Sequence, residues 1–310
     1  MNAVYLQEKA GPESLVFGDI PQPEPGENEV LIKVHATAIM PTEFGWFTTF
    51  ALPTGGPRPF PIVLSHEFSG VVESLGPKAQ GVKIGDAVYG LNNWFVNGAQ
   101  AEYCVAPASS LAPKPKSLDH PQAAVVPISA LTAWQGLFGR LQLERGQRVL
   151  IHGATGAVGA FATQFAKSRG AHVIATSSSS NVGFARELGA DEVIDYRATR
   201  FEEVVRDVDA VFDGVGGETL ERSWGVLRKG GKLVTISSER LEDADQRSKD
   251  AFLLVEANGG QLGEIGVLTD AGKLRIFVEA VLPLAQAAEA YAQAQKGGKR
   301  GKIALRVGQA

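Results

Sequence analysis

RVLIHGATGAVGAFATQFAKSRGAHVIATS, residues 148–177, decides the fold. It reads as strand, glycine turn, helix and strand in succession. Arg148 to His152 is a short apolar run of β-favouring residues, and AFATQFAKSRG has helical character. Ala154, Gly156 and Gly159 fall at the three small-residue positions of a dinucleotide-binding turn, with Ala in the first. Each position has a physical task. The first permits a tight turn, Gly156 lets the backbone approach a pyrophosphate, and Gly159 lets the helix pack on the strand. Thr155, Ala157 and Val158 complete the turn. The helix N-terminus behind it offers unpaired N–H groups and the positive end of a dipole to phosphates.

Downstream, the strand candidates RVLIHG, HVIATS, EVIDY, AVFDGVG and KLVTISS alternate with NVGFAREL, FEEVVRD and LERSWGVLRKG, which read as helices. This alternation predicts βαβ units in a doubly wound parallel sheet of the Rossmann type. FLLVEAN, starting at Phe252, is a sixth strand candidate. Upstream, AVYLQ, EVLIKVHATAI, FSGVVESLG, AVYGL and AEYCVAP are separated by Gly, Pro and Asn, a spacing that predicts a barrel-like β domain. The tail reads as helix, helix, strand, ending in KIALRV, and is expected to return to the first domain. The expected division is 1–118 with 259–310 for the barrel-like domain and 119–258 for the nucleotide domain.

Composition excludes several function classes. The 310 residues carry a net charge of −4, so no basic footprint points to nucleic acid. Cys104 is the single cysteine, which rules out an internal disulfide and a cysteine-rich metal site; in AEYCVAP it reads as a small core residue. The N-terminal MNAVYLQEKAGPESL lacks an apolar signal core, and no apolar run reaches membrane-spanning length. A cytoplasmic protein without membrane contact is the resulting expectation.

The residue type at the end of the second strand of such a sheet distinguishes the nicotinamide cofactors. An acid there binds the ribose 2′-hydroxyl of NAD. This chain has Ser177, followed by Ser178, Ser179 and Ser180. Hydroxyls can donate to a 2′-phosphate where an acid would repel it, so NADP(H) is favoured. The competing reading is a solvated turn. Tyr196 is placed to donate its hydroxyl, and Lys299 or Arg300 to add charge from the tail.

Several strings carry a resemblance: LSHEFSGVVESLG at 64–76, KIGDAVYG at 83–90, PISALTAWQGL at 127–137, RVLIHGATGAVG at 148–159, ELGADEVIDY at 187–196, LTDAGKL at 268–274 and RGKIALRV at 300–307. Through them the chain resembles the medium-chain dehydrogenase/reductases over essentially its whole length, and within them the zinc-independent quinone oxidoreductases. The resemblance implies a GroES-like N-terminal domain, a Rossmann domain and an active site in the cleft between them. It further implies that Thr132, Val215, Gly216, Ser237 and Ser238 lie near the nicotinamide. It also implies pairing of relatives through the strand that 252–256 occupies here, hence a homodimer.

Zinc alcohol dehydrogenases of this family hold their catalytic metal with two Cys and one His. The corresponding places are Met40, His66 and the neighbourhood of Ile128. A thioether and an alkyl group supply no thiolate, so no metal is expected. His66 and Glu67 then read best as a hydrogen-bonded structural pair. Without a Lewis acid, suitable acceptors are those that delocalise the charge left by hydride addition, namely quinones and α,β-unsaturated carbonyls. Thr42 occupies the place of the family's proton-relay hydroxyl and is a candidate donor; a threonine bonded to its own loop is the equal alternative. Met40, Phe44, Trp46, Phe47, Phe50 and Trp94 are expected to wall an aromatic-accepting pocket, since GWFTTFALPTGG is too irregular for a helix or strand. The expected activity is NADPH-dependent reduction of a quinone or enone. The alternatives are an enoyl-thioester reductase of the same family and a catalytically idle NADP-binding sensor or structural protein.

Overall fold

The computed structural model describes residues 1–237, 245–296 and 300–308. The chain forms two units, Met1–Ile128 with Ala257–Ala310, and Ser129–Glu256.

The first unit opens with β1 (Asn2–Leu6), β2 (Val16–Asp19), β3 (Glu29–Ala38), β4 (Ile62–Val63), β5 (Glu67–Leu75), β6 (Ala87–Leu91), β7 (Tyr103–Pro107) and β8 (Leu111–Pro113). One helical turn, α1 (Phe47–Phe50), interrupts them, and α2 (His120–Ala124) follows. β3 is the hub of the larger sheet, pairing antiparallel with β5 along most of its length and with β7 through its first half. Its alternating side chains Val30, Ile32 and Val34 enter a core with Phe68, Val72 and Val88. Cys104 lies in that core, and burial pushes its thiol pKa up. β1, β2 and β4 make a separate three-stranded sheet.

The second unit begins inside α3 (Pro127–Trp134) and contains β9 (Arg148–His152), α4 (Ala157–Arg169), β10 (His172–Ser177), α5 (Val182–Glu187), β11 (Glu192–Asp195), α6 (Phe201–Val204), β12 (Val208–Asp213), α7 (Gly217–Ser223), β13 (Leu227–Thr235) and α8 (Gln246–Asp250). Its strands lie parallel in the order β11-β10-β9-β12-β13, the doubly wound arrangement expected from the sequence. The order reverses between β9 and β12, so the turns that follow these two strands mark the switch point.

The tail returns to the first unit as α9 (Gly259–Asp270), β14 (Val278–Pro283), α10 (Ala287–Ala294) and β15 (Lys302–Arg306). β15 pairs with the second half of β3, and β14 with β15. A buried ion pair fixes this return. Lys302 Nζ donates to Glu67 Oε1, and Oε2 of Glu67 accepts the backbone N–H of Ile128 at 2.9 Å. Glu67 is 0 % exposed and Lys302 6 %.

Three expectations are corrected. The first segment runs to Ile128 rather than 118, because α2 packs on β3, β5 and β15. The segment from Phe252 is no strand; one parallel bridge joins Phe252 to Thr235, and the amide of Gln135 then occupies the backbone of Glu256 at 2.8 and 3.0 Å. The helical reading of LERSWGVLRKG stops at Ser223, with β13 beginning at Leu227. Among the described residues, no helix is long and apolar enough to cross a membrane.

Breaking a buried pair leaves an uncompensated charge. Lys302→Met is expected to destabilise the protein by about 3–5 kcal/mol in urea denaturation, with much of the loss recovered in Glu67→Gln/Lys302→Met. Equal stability of Lys302→Met and the parent protein would contradict this account.

Candidate functional site

The glycine turn follows β9. The left-handed residue that makes it tight is Gly153 (φ +68°), one position before Ala154, which is itself buried. A Cβ on Gly159 would lie 2.1 Å from Gly153 O and 2.7 Å from Ala154 Cα, so close helix–strand packing enforces glycine there. A Cβ on Gly156 would meet nothing nearer than Gly153 O at 3.3 Å, so the space before it is open. Gly156 caps α4 without any side-chain bond, and the first intrahelical bond runs from Ala160 N to Gly156 O. The N–H groups of Ala157, Val158 and Gly159 precede that bond and have no partner within the helix. Backbone donors, a helix dipole and a Cβ-free approach fit a dinucleotide pyrophosphate.

Asp213, at the end of β12, builds the neighbouring turn. Its buried carboxylate accepts from Val215 N, Gly216 N and the Thr235 hydroxyl at 2.8–3.1 Å. Desolvation raises its pKa against those bonds. Val215 is thereby held beside the glycine turn, where its Cγ2 would be 3.6 Å from a Cβ on Gly153. Gly216 (φ +83°) allows the reversal. Ser237 follows β13 with its N–H on Thr235 Oγ1. Asp213 was missed in the sequence reading, although an acid closing a strand before GVGG was its visible signal. Thr132 is buried on α3. Ser238 and Lys299 lie outside the described residues. Arg300 belongs to the first unit, where its N–H donates to Glu279 at 3.1 Å.

Beyond β10 the serines are less free than their number suggests. Ser177 is buried and donates to Ser178 O at 3.2 Å, Ser178 and Ser180 share one bond at 3.2 Å, and Ser179 donates to Asp195 Oδ2 at 2.5 Å. Tyr196 is exposed, with the Arg197 guanidinium 5.9 Å from its ring centroid. The sequence reading overlooked Asp195 and Arg197 because the β10–β11 pairing, with Ser177 opposite Asp195, is not visible along the chain.

In the first unit, the turn Pro41–Gly45 carries Thr42 at its exposed side and Glu43 in the interior. Glu43 is 0 % exposed. Its carboxylate accepts Ser65 N at 2.8 and 3.1 Å and the hydroxyl of Tyr291 from α10. Ser65 adopts a left-handed backbone (φ +63°), rare for a serine and held here by that carboxylate. Desolvation raises the Glu43 pKa to about 8, against the Ser65 bond. His66 Nδ1 donates to Asn92 Oδ1 at 2.7 Å, since the Asn92 amide nitrogen is already committed to Asn97 O. Its Nε2 faces Glu43 Oε1 at 3.6 Å, and burial lowers its pKa to about 4. Glu67 is turned away onto Lys302, so His66 and Glu67 do not form the expected mutual pair; the partner of His66 is Asn92.

The expected aromatic wall divides. Trp94 stacks edge-on with Trp46 at 5.4 Å and lies 5.2 Å from His66. Phe47 is 65 % exposed and approaches Phe95, which the sequence reading did not name. Phe44 and Phe50 pack on the core instead, Phe44 edge-on to Tyr291. Part of GWFTTFALPTGG is ordered as α1, capped by the buried Arg58 on the carbonyls of Thr48 and Thr49.

Residues 26–116 match the alcohol dehydrogenase GroES-like domain, and 188–305 a zinc-binding dehydrogenase domain. A "probable zinc-binding oxidoreductase, mitochondrial" of Arthroderma benhamiae is 35% identical, over 93% of this chain and 91% of its own length. The mouse NAD(P)H oxidoreductase RTN4IP1, mitochondrial, is 34% identical over 90% of this chain and 82% of its own. The structure of a quinone oxidoreductase from Coxiella burnetii superposes with a TM-score of 0.91 at 32% identity, covering 99% of both chains.

The chain belongs to the medium-chain dehydrogenase/reductase superfamily.

Within that superfamily it falls in the quinone-oxidoreductase-like group, and it is an oxidoreductase that binds a nicotinamide cofactor. The metal that many members carry does not fit its donor set. At the places that hold the metal in zinc-dependent relatives, Met40 and Ile128 offer a thioether and an alkyl group in place of thiolates, and Glu43, which faces His66, is committed to Ser65 and Tyr291. Among the described residues, no three His, Cys, Asp or Glu side chains group so as to hold a metal ion.

His152 underlies the glycine turn, bonded to Thr176 at 3.1 Å and Ser223 at 3.0 Å, and burial lowers its pKa to about 3. An unfolded chain takes up this proton near pH 6.5, the folded one near 3. Stability is therefore complete above about pH 6.5 and falls as pH drops toward 3. Thermal unfolding of His152→Gln should show a shallower loss between pH 7 and pH 5 than the parent; parallel profiles would contradict the assignment.

Proposed function

We propose that the protein is an NADPH-dependent, zinc-independent reductase of quinones or of the C=C bond of α,β-unsaturated carbonyls. The observation that carries this reading is the pairing of an intact dinucleotide turn with a thioether and an alkyl group where metal-dependent relatives have thiolates. When bound, the nicotinamide supplies the hydride.

The chain's own residues bind, orient and exclude water. The N–H groups at the start of α4 hold the pyrophosphate, and Val215 and Gly216 border the approach to the turn. Trp46, Trp94, Phe47 and Phe95 offer aromatic faces to a planar acceptor. Thr42 is exposed beside them, and its hydroxyl makes no bond to the described residues, which favours the donor role over the loop-bound alternative. Adding hydride to a quinone or enone leaves a phenolate-like or enolate anion with delocalised charge, so a single hydroxyl donor is a meaningful share of the stabilisation required. Tyr291 contacts this turn through Phe44 and Glu43, but it is fully buried on Glu43 and Gln100. A tyrosine so placed is a poor proton donor, which weighs against the enoyl-thioester reductase.

A homodimer formed along 252–256 is part of the proposal. Leu254 is exposed on that segment, and the segment lies against the edge of β13 through the bridge at Phe252. The proposed setting is the cytoplasm, although the names of the Arthroderma and mouse relatives above place those proteins in mitochondria; cell fractionation decides between them.

NADPH oxidation with an ortho-quinone, an enone and an enoyl thioester is expected to be fast with one of the first two and slow with the third. Thr42→Val should lower kcat about tenfold, the worth of one hydrogen bond at a partly solvated site. Tight NADPH binding without turnover of any acceptor would replace this reading by the sensor. Purified protein should hold no stoichiometric zinc by elemental analysis, and one tightly held ion per chain would overturn the metal-free part. Light scattering at micromolar concentration should give a dimer; a monomer would remove the 252–256 interface.

A further inference from the structure

The cluster after β10 and β11 contains a negative charge where the sequence suggested none. Asp195 ends β11 directly opposite Ser177, the last residue of β10. Its Oδ2 takes the Ser179 proton at 2.5 Å, and its Oδ1 takes the Arg197 N–H at 3.0 Å. Those bonds lower its pKa, so the carboxylate is ionised at neutral pH.

A serine hydroxyl has one proton to give. Ser179 gives its proton to Asp195 and Ser177 gives its own to Ser178 O, while Ser178 and Ser180 spend one of their two protons on each other. Four serines thus offer a 2′-phosphate one free O–H, joined by the exposed Tyr196 hydroxyl and the Arg197 guanidinium beside its ring. A phosphate seated among these groups has to take Ser179 from Asp195 or stand next to that carboxylate with Ser179 turned away. Either arrangement costs binding energy that NADH, lacking the phosphate, does not lose.

We propose that Asp195 is a specificity-determining residue for the nicotinamide cofactor, one that opposes the 2′-phosphate and limits the preference for NADPH, with Arg197 acting in the opposite sense. This inference rests on the assignment of the serine cluster to the adenosine ribose in the proposed function. Asp195→Asn removes the charge and keeps one acceptor oxygen, which can serve Arg197 N as Oδ1 does now, while the amide nitrogen replaces the Oδ2 that takes the Ser179 proton. Charges of this kind a few ångströms apart at a solvated surface change affinity by about three- to tenfold, and salt screens the effect.

The test is calorimetric titration of the full-length protein with NADPH, NADH, 2′,5′-ADP and AMP. Asp195→Asn is expected to tighten NADPH and 2′,5′-ADP by about three- to tenfold and to leave NADH and AMP within about twofold. Arg197→Gln is expected to weaken the two 2′-phosphorylated ligands by a similar factor. Both differences should shrink in about 0.5 M salt. The proposal fails if Asp195→Asn leaves the ratio of NADPH to NADH affinity unchanged, if it shifts all four ligands together, or if its effect does not respond to salt. A parent protein that binds NADH as well as NADPH would count against the NADP(H) reading alone, and a rise in the ratio in Asp195→Asn would still support the role of Asp195.

Discussion

A buried carboxylate needs partners, and that constraint organises the first unit. Removing Glu67 from water is costly unless its oxygens are met by charge and hydrogen bonds. Lys302 arrives from β15 and the Ile128 N–H from the last residue of the first segment, so one side chain on β5 fixes three distant stretches of chain. The tail has to come back, and the chain has to leave at a set point. The nucleotide-binding unit is therefore an insertion between two pieces of a single body. Glu43 repeats the logic on a smaller scale. Its buried carboxyl group, mostly protonated at neutral pH, still draws together Ser65, Tyr291 and the turn that carries Thr42, and it sustains a backbone conformation at Ser65 that serine seldom adopts.

In the second unit, backbone rather than side chains provides the binding chemistry. The N–H groups ahead of Ala160 cannot be satisfied within α4, and neither a capping side chain nor a Cβ on Gly156 covers them. Asp213 performs the complementary task one strand away, using its carboxylate to hold a second turn open beside the first. The two turns lie at the point where strand order reverses, which is where doubly wound sheets leave room for a ligand.

Much of this was legible along the chain, for identifiable reasons. The parallel strands β9 to β13 are bounded by glycine and polar turns, and each carries a short apolar run such as VLI in β9, VIA in β10 or AVF in β12, so a local pattern suffices. The barrel-like strands β3, β5, β6 and β7 were equally plain, whereas β4 and β8 have two and three residues and leave no period to detect. At 252–258 an apolar run looked like a strand, but the Gln135 side chain occupies the backbone there and stops the ladder after one bridge. At the site, the glycine turn and the lost thiolates are local facts. Asp195 beside the serines, Tyr291 on Glu43 and Asn92 on His66 are contacts between residues 16, 248 and 26 positions apart in sequence, and composition does not encode such pairings.

The charge state around His66 follows from the same desolvation. With Glu43 raised to about 8 and His66 lowered to about 4, neither group carries a full charge for most of the population at neutral pH. Arg58 is the lasting cation that acts on both, and its side chain is committed to the carbonyls that close α1. Such a neighbourhood holds no concentrated positive charge to match a localised alkoxide, which is the service a metal ion performs. An acceptor that spreads its developing charge over a ring or an enone asks for less, and exposed hydroxyl donors and aromatic faces are what the turn at Thr42 presents. In the activity proposed above, Met40 and Ile128 stand where metal-dependent relatives have thiolates, and the desolvated, nearly neutral surroundings of His66 favour acceptors that carry their own charge.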